Sequence, residues 1–193
     1  PGQEVLVERL RRELLRLRAL VGELLELSRL ENTLPAEDLA VPSVPLAPLV
    51  EQVWNGLRPL AEPRHVGLVL RAPEPVRVRG ETARLPRALL NLLDNAVRFS
   101  PDGAAVEVGI EAGPRWCRLT VRDHGPGLSE EDLQHMFERF YRGDPSRARC
   151  LRGGSGLGLA IVQQIAVTQG GRVRAANHPR GGALLEWLLP VAG

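Results

Sequence analysis

The sequence predicts an α+β fold, a two-layer α/β sandwich with helices on one face of a mixed sheet, preceded by one long helix. Three observations lead there. Helical periodicity dominates the first half of the chain, and strand pairs joined by glycine- and proline-bearing turns dominate the second, the order expected when helices are layered on hairpins. The 193 residues, 44% of them hydrophobic, suffice for one well-cored domain and an appendage. A leucine stripe at heptad spacing, separated from the rest by prolines, supplies that appendage.

The stripe runs from Val7 to Leu30, with Leu10, Leu14, Leu17, Val21 and Leu24 separated by alternating steps of four and three. Six arginines and six glutamates between Glu4 and Glu31 flank it, a pattern that faces another helix and not a broad core. A partner helix is therefore expected, from another chain or another segment; the alternative is a helix lying on its own domain. Pro35, Pro42, Pro45 and Pro48 interrupt any helix, which divides the chain into a helix at 1–34, a linker at 35–45 and a domain at 46–193.

Within that domain, Leu46 to Leu60 reads as a helix, with short strands near Val66 to Arg71 and Val76 to Val78. A second helix covers Glu81 to Phe99, starting later or bending because of Pro86. Ala105 to Glu111 and Arg115 to Arg122 form a hairpin about Ala112-Gly113-Pro114. Ser129 opens a short helix through Phe137, with Asp132 as an acidic capping-box partner. Tyr141 to Gly154 reads as a mobile loop, Gly156 to Gln169 as a helix, and Gly171 to Asn177 with Ala183 to Leu189 as a closing strand pair.

Charge is balanced, 25 basic residues against 23 acidic, so no general attraction for nucleic acid arises. Cys117 and Cys150 stand far apart, with no metal-ligand spacing around them. No apolar run approaches the roughly 18 residues needed to cross a bilayer, and the expectation is a soluble, cytoplasmic chain.

Four patterns occur in order: NLLDN at 91–95, DHGPG at 123–127, FERFYR at 137–142 and GGSGLGL at 153–159. Their order and spacing resemble the histidine-kinase branch of the GHKL ATPases, with a Bergerat-type ATP-binding fold, from about residue 44 to the end. The ELLELSRLE of the leucine helix resembles the second dimerisation helix that precedes such a domain.

A carboxylate only accepts hydrogen bonds, so Asp123 in an apolar pocket would select a base edge that offers an amino group, as adenine does and guanine does not. The resemblance gives it that role, with Gly125 and Gly127 bordering the nucleotide. Asn91 and Asn95, four apart, share one helix face, and their carbonyl oxygens suit Mg²⁺. By resemblance Asn95 is the magnesium ligand. Arg98, one turn on, would grip phosphate oxygens, unless it is a solvated helix-end cation. Asn91 stands where the hydrolysing branches carry a glutamate base, and Asp94 points about a hundred degrees away round the helix, so the site favours transfer to a supplied nucleophile.

Gly154, Gly156 and Gly158 match the family's phosphate-loop glycines, the amides of Gly156 and Leu157 being the candidates for phosphate contact. Phe137 and Phe140 would anchor the lid, and Arg142, better than Arg139, would reach the γ-phosphate. His124 and His135 are assigned to surface or packing roles.

The resemblance implies ATP and Mg²⁺ as ligands, and as partners a histidine-bearing dimerisation domain, a response-regulator receiver domain and, in the full-length protein, a second copy. The four histidines, His65, His124, His135 and His178, all lie outside the leucine helix, so the accepting histidine is expected elsewhere, in a longer membrane-anchored sensor. Competing possibilities are a degenerate nucleotide-binding or dimerisation module and a serine kinase of the anti-sigma-factor type.

Overall fold

The computed structural model describes residues 2–32, 42–143 and 154–192. The first helix, α1, spans Gly2–Glu31, and its two ends behave differently. Leu27 and Leu30 are buried against the rest of the chain, while the seam residues Leu10, Leu14, Leu17, Val21 and Leu24 are 42–66% exposed. The docked face lies about a hundred degrees round the helix from the seam. The helix therefore does lie on its own domain through its last turns, and it keeps a second apolar face outward.

After α1 come β1 (Ser43–Pro45), α2 (Leu46–Ala61), a 3-10 turn (Glu62–Arg64), β2 (Gly67–Arg71), β3 (Arg77–Arg79) and α3 (Arg84–Phe99). The chain continues through β4 (Ala105–Ala112), β5 (Trp116–Arg122), α4 (Glu130–His135), α5 (Gly158–Thr168), β6 (Arg172–Asn177) and β7 (Ala183–Pro190). The main sheet has the order β2-β4-β5-β7-β6, with β2 parallel to β4 and the other neighbours antiparallel.

Inward side chains of the sheet, including Val106, Val108, Ile110, Leu119, Val121, Leu185, Trp187 and Leu189, are buried under α2, α3 and α5. On α3 the buried residues Leu85, Ala88, Leu89, Leu92, Leu93, Ala96 and Val97 recur at helical spacing, which turns Asn91, Asn95 and Arg98 to the other side.

One difference from the sequence expectation has a physical cause. Ser43–Pro45, inside the expected linker, forms a strand that pairs antiparallel with β3, Val44 opposite Val78. Proline is tolerated there because a short two-stranded edge leaves its missing donor unneeded. Of the two possibilities that Pro86 left, α3 takes the later start: it begins at Arg84, so that Pro86 falls in the first turn, where its lacking amide has no partner to lose. The linker residues 33–41 and the loop residues 144–153 lie outside the described residues, as does Cys150.

Candidate functional site

A cavity of about 290 Å³ opens between α3, α4, the loop after β5 and the start of α5. Its wall includes Asn91, Asp94, Asn95 and Arg98 from α3, Asp123, Gly127 and Leu128 from the loop, and Gly154, Gly156 and Gly158 from the glycine-rich segment.

Asp123 follows directly on β5 and is buried. Its Oδ1 accepts the amides of Gly125 at 2.8 Å and Ala183 at 3.0 Å. Among the described residues no donor reaches Oδ2, which leaves a fixed acceptor at the cavity wall. Burial pushes the carboxyl above the ordinary carboxylate range, against the opposing pull of the Ala183 and Gly125 amides and the charges of His124 and Arg122. A donor brought to Oδ2 would favour the ionised form.

The loop after Asp123 is clamped from β6. Asn177 accepts the Leu128 amide at 2.7 Å and donates to the Leu128 carbonyl at 2.8 Å, so one side-chain amide imitates a strand neighbour. Gly127 lines the cavity, whereas Gly125 lies behind it, acting through its amide.

Asn91 and Asn95 both face the cavity from α3. The Asn91 Nδ2 is buried with no partner among the described residues, an orphaned donor of the kind a ligand satisfies. Their side-chain carbonyl oxygens could hold a hard cation that keeps water or phosphate oxygens as its other ligands; among the described residues no group of three or more His, Cys, Asp or Glu offers an alternative metal site. Asp94 is not turned away as expected. It lines the cavity, and its Oδ2 accepts Arg98 Nε at 2.6 Å, which holds the guanidinium at the wall.

The far side is built by α4. Ser129 and Asp132 form a complete capping box, Asp132 Oδ2 accepting the Ser129 amide and hydroxyl at 2.8 Å each. Its Oδ1 accepts the Tyr141 hydroxyl at 3.0 Å, which ties the chain leaving α4 back to the helix start. Arg142 lines the cavity, while Arg139 is paired with Glu31 of α1.

The Phe140 ring does not line the cavity, and the lid it is expected to anchor lies outside the described residues. Phe140 has φ +63° and is 59% exposed, outside the cavity wall, because the left-handed backbone turns the side chain away. Its contribution is the backbone bond from its amide to the Gly156 carbonyl at 2.9 Å. At Gly156, φ +74°, a Cβ would meet the Phe140 and Tyr141 backbone at 2.7–2.8 Å, so this crossing requires glycine. The Leu157 side chain is buried, and its amide, one of the two expected phosphate contacts, donates to Ser155 Oγ at 3.1 Å.

Asn177, Tyr141 and Glu23 escaped the sequence reading. Glu23 comes from α1 and also lines the cavity, with Oε2 buried and lacking a partner among the described residues. Nothing local marks it, since it belongs to a run of alternating charges along the helix.

Residues 80–193 match the family described as histidine kinase-, DNA gyrase B- and HSP90-like ATPase. The sensor protein SphS of Synechococcus elongatus is 47% identical over 97% of this chain and 46% of its own length. The chain spans less than half the length of the curated relatives it matches. Among solved structures, the mycobacterial sensor histidine kinase MprB superposes with TM-score 0.70 at 31% identity, covering 78% of this chain and 98% of that one. Full-length ShkA in complex with AMPPNP superposes with TM-score 0.81 at 28% identity, over 100% of this chain and 39% of that one.

Proposed function

Since the chain belongs to the histidine kinase-, DNA gyrase B- and HSP90-like ATPase family, on its sensor-histidine-kinase branch, we propose that it binds ATP with Mg²⁺ and transfers the γ-phosphoryl group to a histidine. That histidine is supplied by a dimerisation domain, and the phosphoryl group passes on to a response-regulator aspartate. The observation that carries the reading is Asp123, a buried carboxylate with one oxygen fixed by two amides and the other left for a base amino group.

In this account Asp123 Oδ2 accepts the adenine amino group and the loop held by Asn177 closes along the base. Asn91 donates its orphaned Nδ2 to a phosphate oxygen, and Asn95 turns its carbonyl to the cation. The Asn95 side-chain carbonyl would hold Mg²⁺, which would supply positive charge to offset that of the phosphates. Arg98, freed in part from Asp94, and Arg142 from the far wall approach the terminal phosphate, and the helix start at Gly158 turns amides toward it. With Asn91 where the hydrolysing branches carry a glutamate, the general base of those branches is missing from its position on α3, so transfer is favoured over hydrolysis.

By the same reading, residues 1–34 are the second helix of a dimerisation hairpin, 35–45 a linker and 46–193 the catalytic domain. The exposed seam of α1 would pack in a homodimer of the full-length protein, which is held at the bacterial membrane with this portion in the cytoplasm. Among the described residues no helix is long and apolar enough to cross a membrane.

Calorimetric titration with ATP and GTP, each with and without Mg²⁺, tests the pocket. Magnesium-dependent binding of ATP but not GTP is expected, weakened about 10- to 100-fold by Asp123→Asn, the loss of a hydrogen bond to a charged group. No nucleotide binding would leave a degenerate interaction module as the better account.

A further inference from the structure

The outer face of the sheet carries a side-chain network that the pocket itself does not use. Glu107 of β4 and Arg122 of β5 are direct cross-strand partners. One carboxylate oxygen, Oε1, accepts Arg122 Nη1 at 2.9 Å and lies 3.0 Å from His124 Nε2. The other lies 3.5 Å from Arg71 Nη1. Arg122 and His124 are the residues on either side of Asp123. Side chains alternate across extended backbone, so neighbours of a pocket-facing aspartate point to the opposite face, and here a single carboxylate holds both.

The hold reaches Asp123 by a second route. Arg122, 6% exposed, donates from Nη2 to the carbonyls of Gly181 at 3.2 Å and Arg180 at 3.4 Å, fixing the turn between β6 and β7. That turn ends at Gly182, φ +83°, where any Cβ would collide with the Asp123 carbonyl oxygen. The next residue, Ala183, donates its amide to Asp123 Oδ1 and accepts the Asp123 amide at 3.1 Å. Glu107 thus fixes the peptide flanks of Asp123 through Arg122 and His124, and through the turn it fixes the amide that selects which carboxylate oxygen faces the cavity. Burial raises the Glu107 carboxyl, but the His124 hydrogen bond and the charges of Arg122 and Arg71 outweigh it and hold the group below the ordinary range.

We propose that Glu107 is a positioning residue for nucleobase selection, setting the orientation of the Asp123 carboxylate from the opposite face of the sheet. The proposal rests on the reading that Asp123 meets the base. It predicts an effect confined to bases that carry an amino group at that edge.

The test is calorimetric titration, in Mg²⁺, of the unmodified chain, Glu107→Ala, Glu107→Gln, Asp123→Asn and the Glu107→Ala/Asp123→Asn pair with ATP and with inosine triphosphate, whose base has a carbonyl in place of the amino group. Glu107→Ala is expected to weaken ATP about tenfold and inosine triphosphate less than about twofold, the size of one misplaced charged hydrogen bond. Glu107→Gln, which keeps an acceptor oxygen for one donor, is expected to recover part of the ATP affinity. In the Asp123→Asn background, Glu107→Ala should cost nothing further. Equal losses for both nucleotides, or additive losses in the pair, would overturn the positioning role while leaving the pocket intact. If Glu107→Ala fails to fold, the Glu107→Gln ratio of ATP to inosine triphosphate decides in the same way. An Asp123→Asn variant with undiminished ATP affinity would overturn this proposal and the pocket reading together.

Discussion

A carboxylate buried for recognition costs stability while its ligand is absent, and Asp123 shows the sign of that cost. Burial holds its folded-state carboxyl above the ordinary value, so the fold disfavours the ionised form relative to the unfolded chain. Stability is therefore lost as pH rises from the unfolded-state value, about 3.9, through the raised folded value. At neutral pH, Asp123→Asn should raise the melting temperature of the nucleotide-free chain while it weakens ATP binding, and thermal melts at pH 7 with and without ATP check both halves. An unchanged or lower melting temperature without nucleotide would mean that the charge is already compensated. Much of this wall could be read from the chain: Asn91, Asn95, Asp123, Gly154, Gly156 and Gly158 sit in short patterns whose chemistry is local, and all six line one cavity. Asn177, Glu23 and Glu107 act across 49 residues, along a distant helix and through the sheet, and nothing in their neighbours advertises it. Phe140 shows the opposite failure, an aromatic residue whose role is set by a positive φ that its type does not announce.

Among the elements, α3 positions most of the cavity, and its end is held by a residue far away in sequence. Arg64, in the 3-10 turn after α2, donates to the carbonyls of Val97 at 2.7 Å and Ser100 at 2.6 Å, to Arg98 O at 3.3 Å, and to Asp102 at 2.8 Å. These include carbonyls that a helix C-terminus leaves without partners. Arg64→Ala should cost about 1–3 kcal/mol, seen as a melting temperature several degrees lower, because acceptors in a part-buried position lose a charged donor. Arg64→Lys should recover only part, since a single ammonium cannot span the same acceptors. A melt unchanged from the parent would show that water replaces the guanidinium at no cost. Periodicity located α3 because its apolar face is strongly one-sided, and missed β1 because a strand of three residues between prolines carries no period at all.

For the molecule as a whole, the sequence implied a sheet under helices, but not its order, since the parallel pairing of β2 with β4 and the insertion of β7 between β5 and β6 depend on contacts remote in sequence. The heptad seam was equally visible, whereas the docked face of α1 was not, because Leu27 and Leu30 fall in a helix that is leucine-rich on several sides. That docking is made by these leucines, by Arg87 with Glu26 at 3.2 Å, by Arg139 with Glu31 and by Gln164 with the Leu30 carbonyl at 3.4 Å. Leu27→Ala should remove about 2–5 kcal/mol of packing and release the end of α1 alone. Hydrogen exchange should then rise through residues 20–31 while β4, β5 and β7 keep their protection; a uniform rise across the sheet would show α1 to be part of one cooperative core. Phosphoryl transfer is read out by incubating the chain with γ-labelled ATP, Mg²⁺ and a separately supplied histidine-bearing dimerisation domain. Acid-labile label is expected on that domain's histidine, lost with Asn95→Ala or Asp123→Asn; ATP binding with no label on the histidine, or steady release of free phosphate instead, would rule out a kinase role.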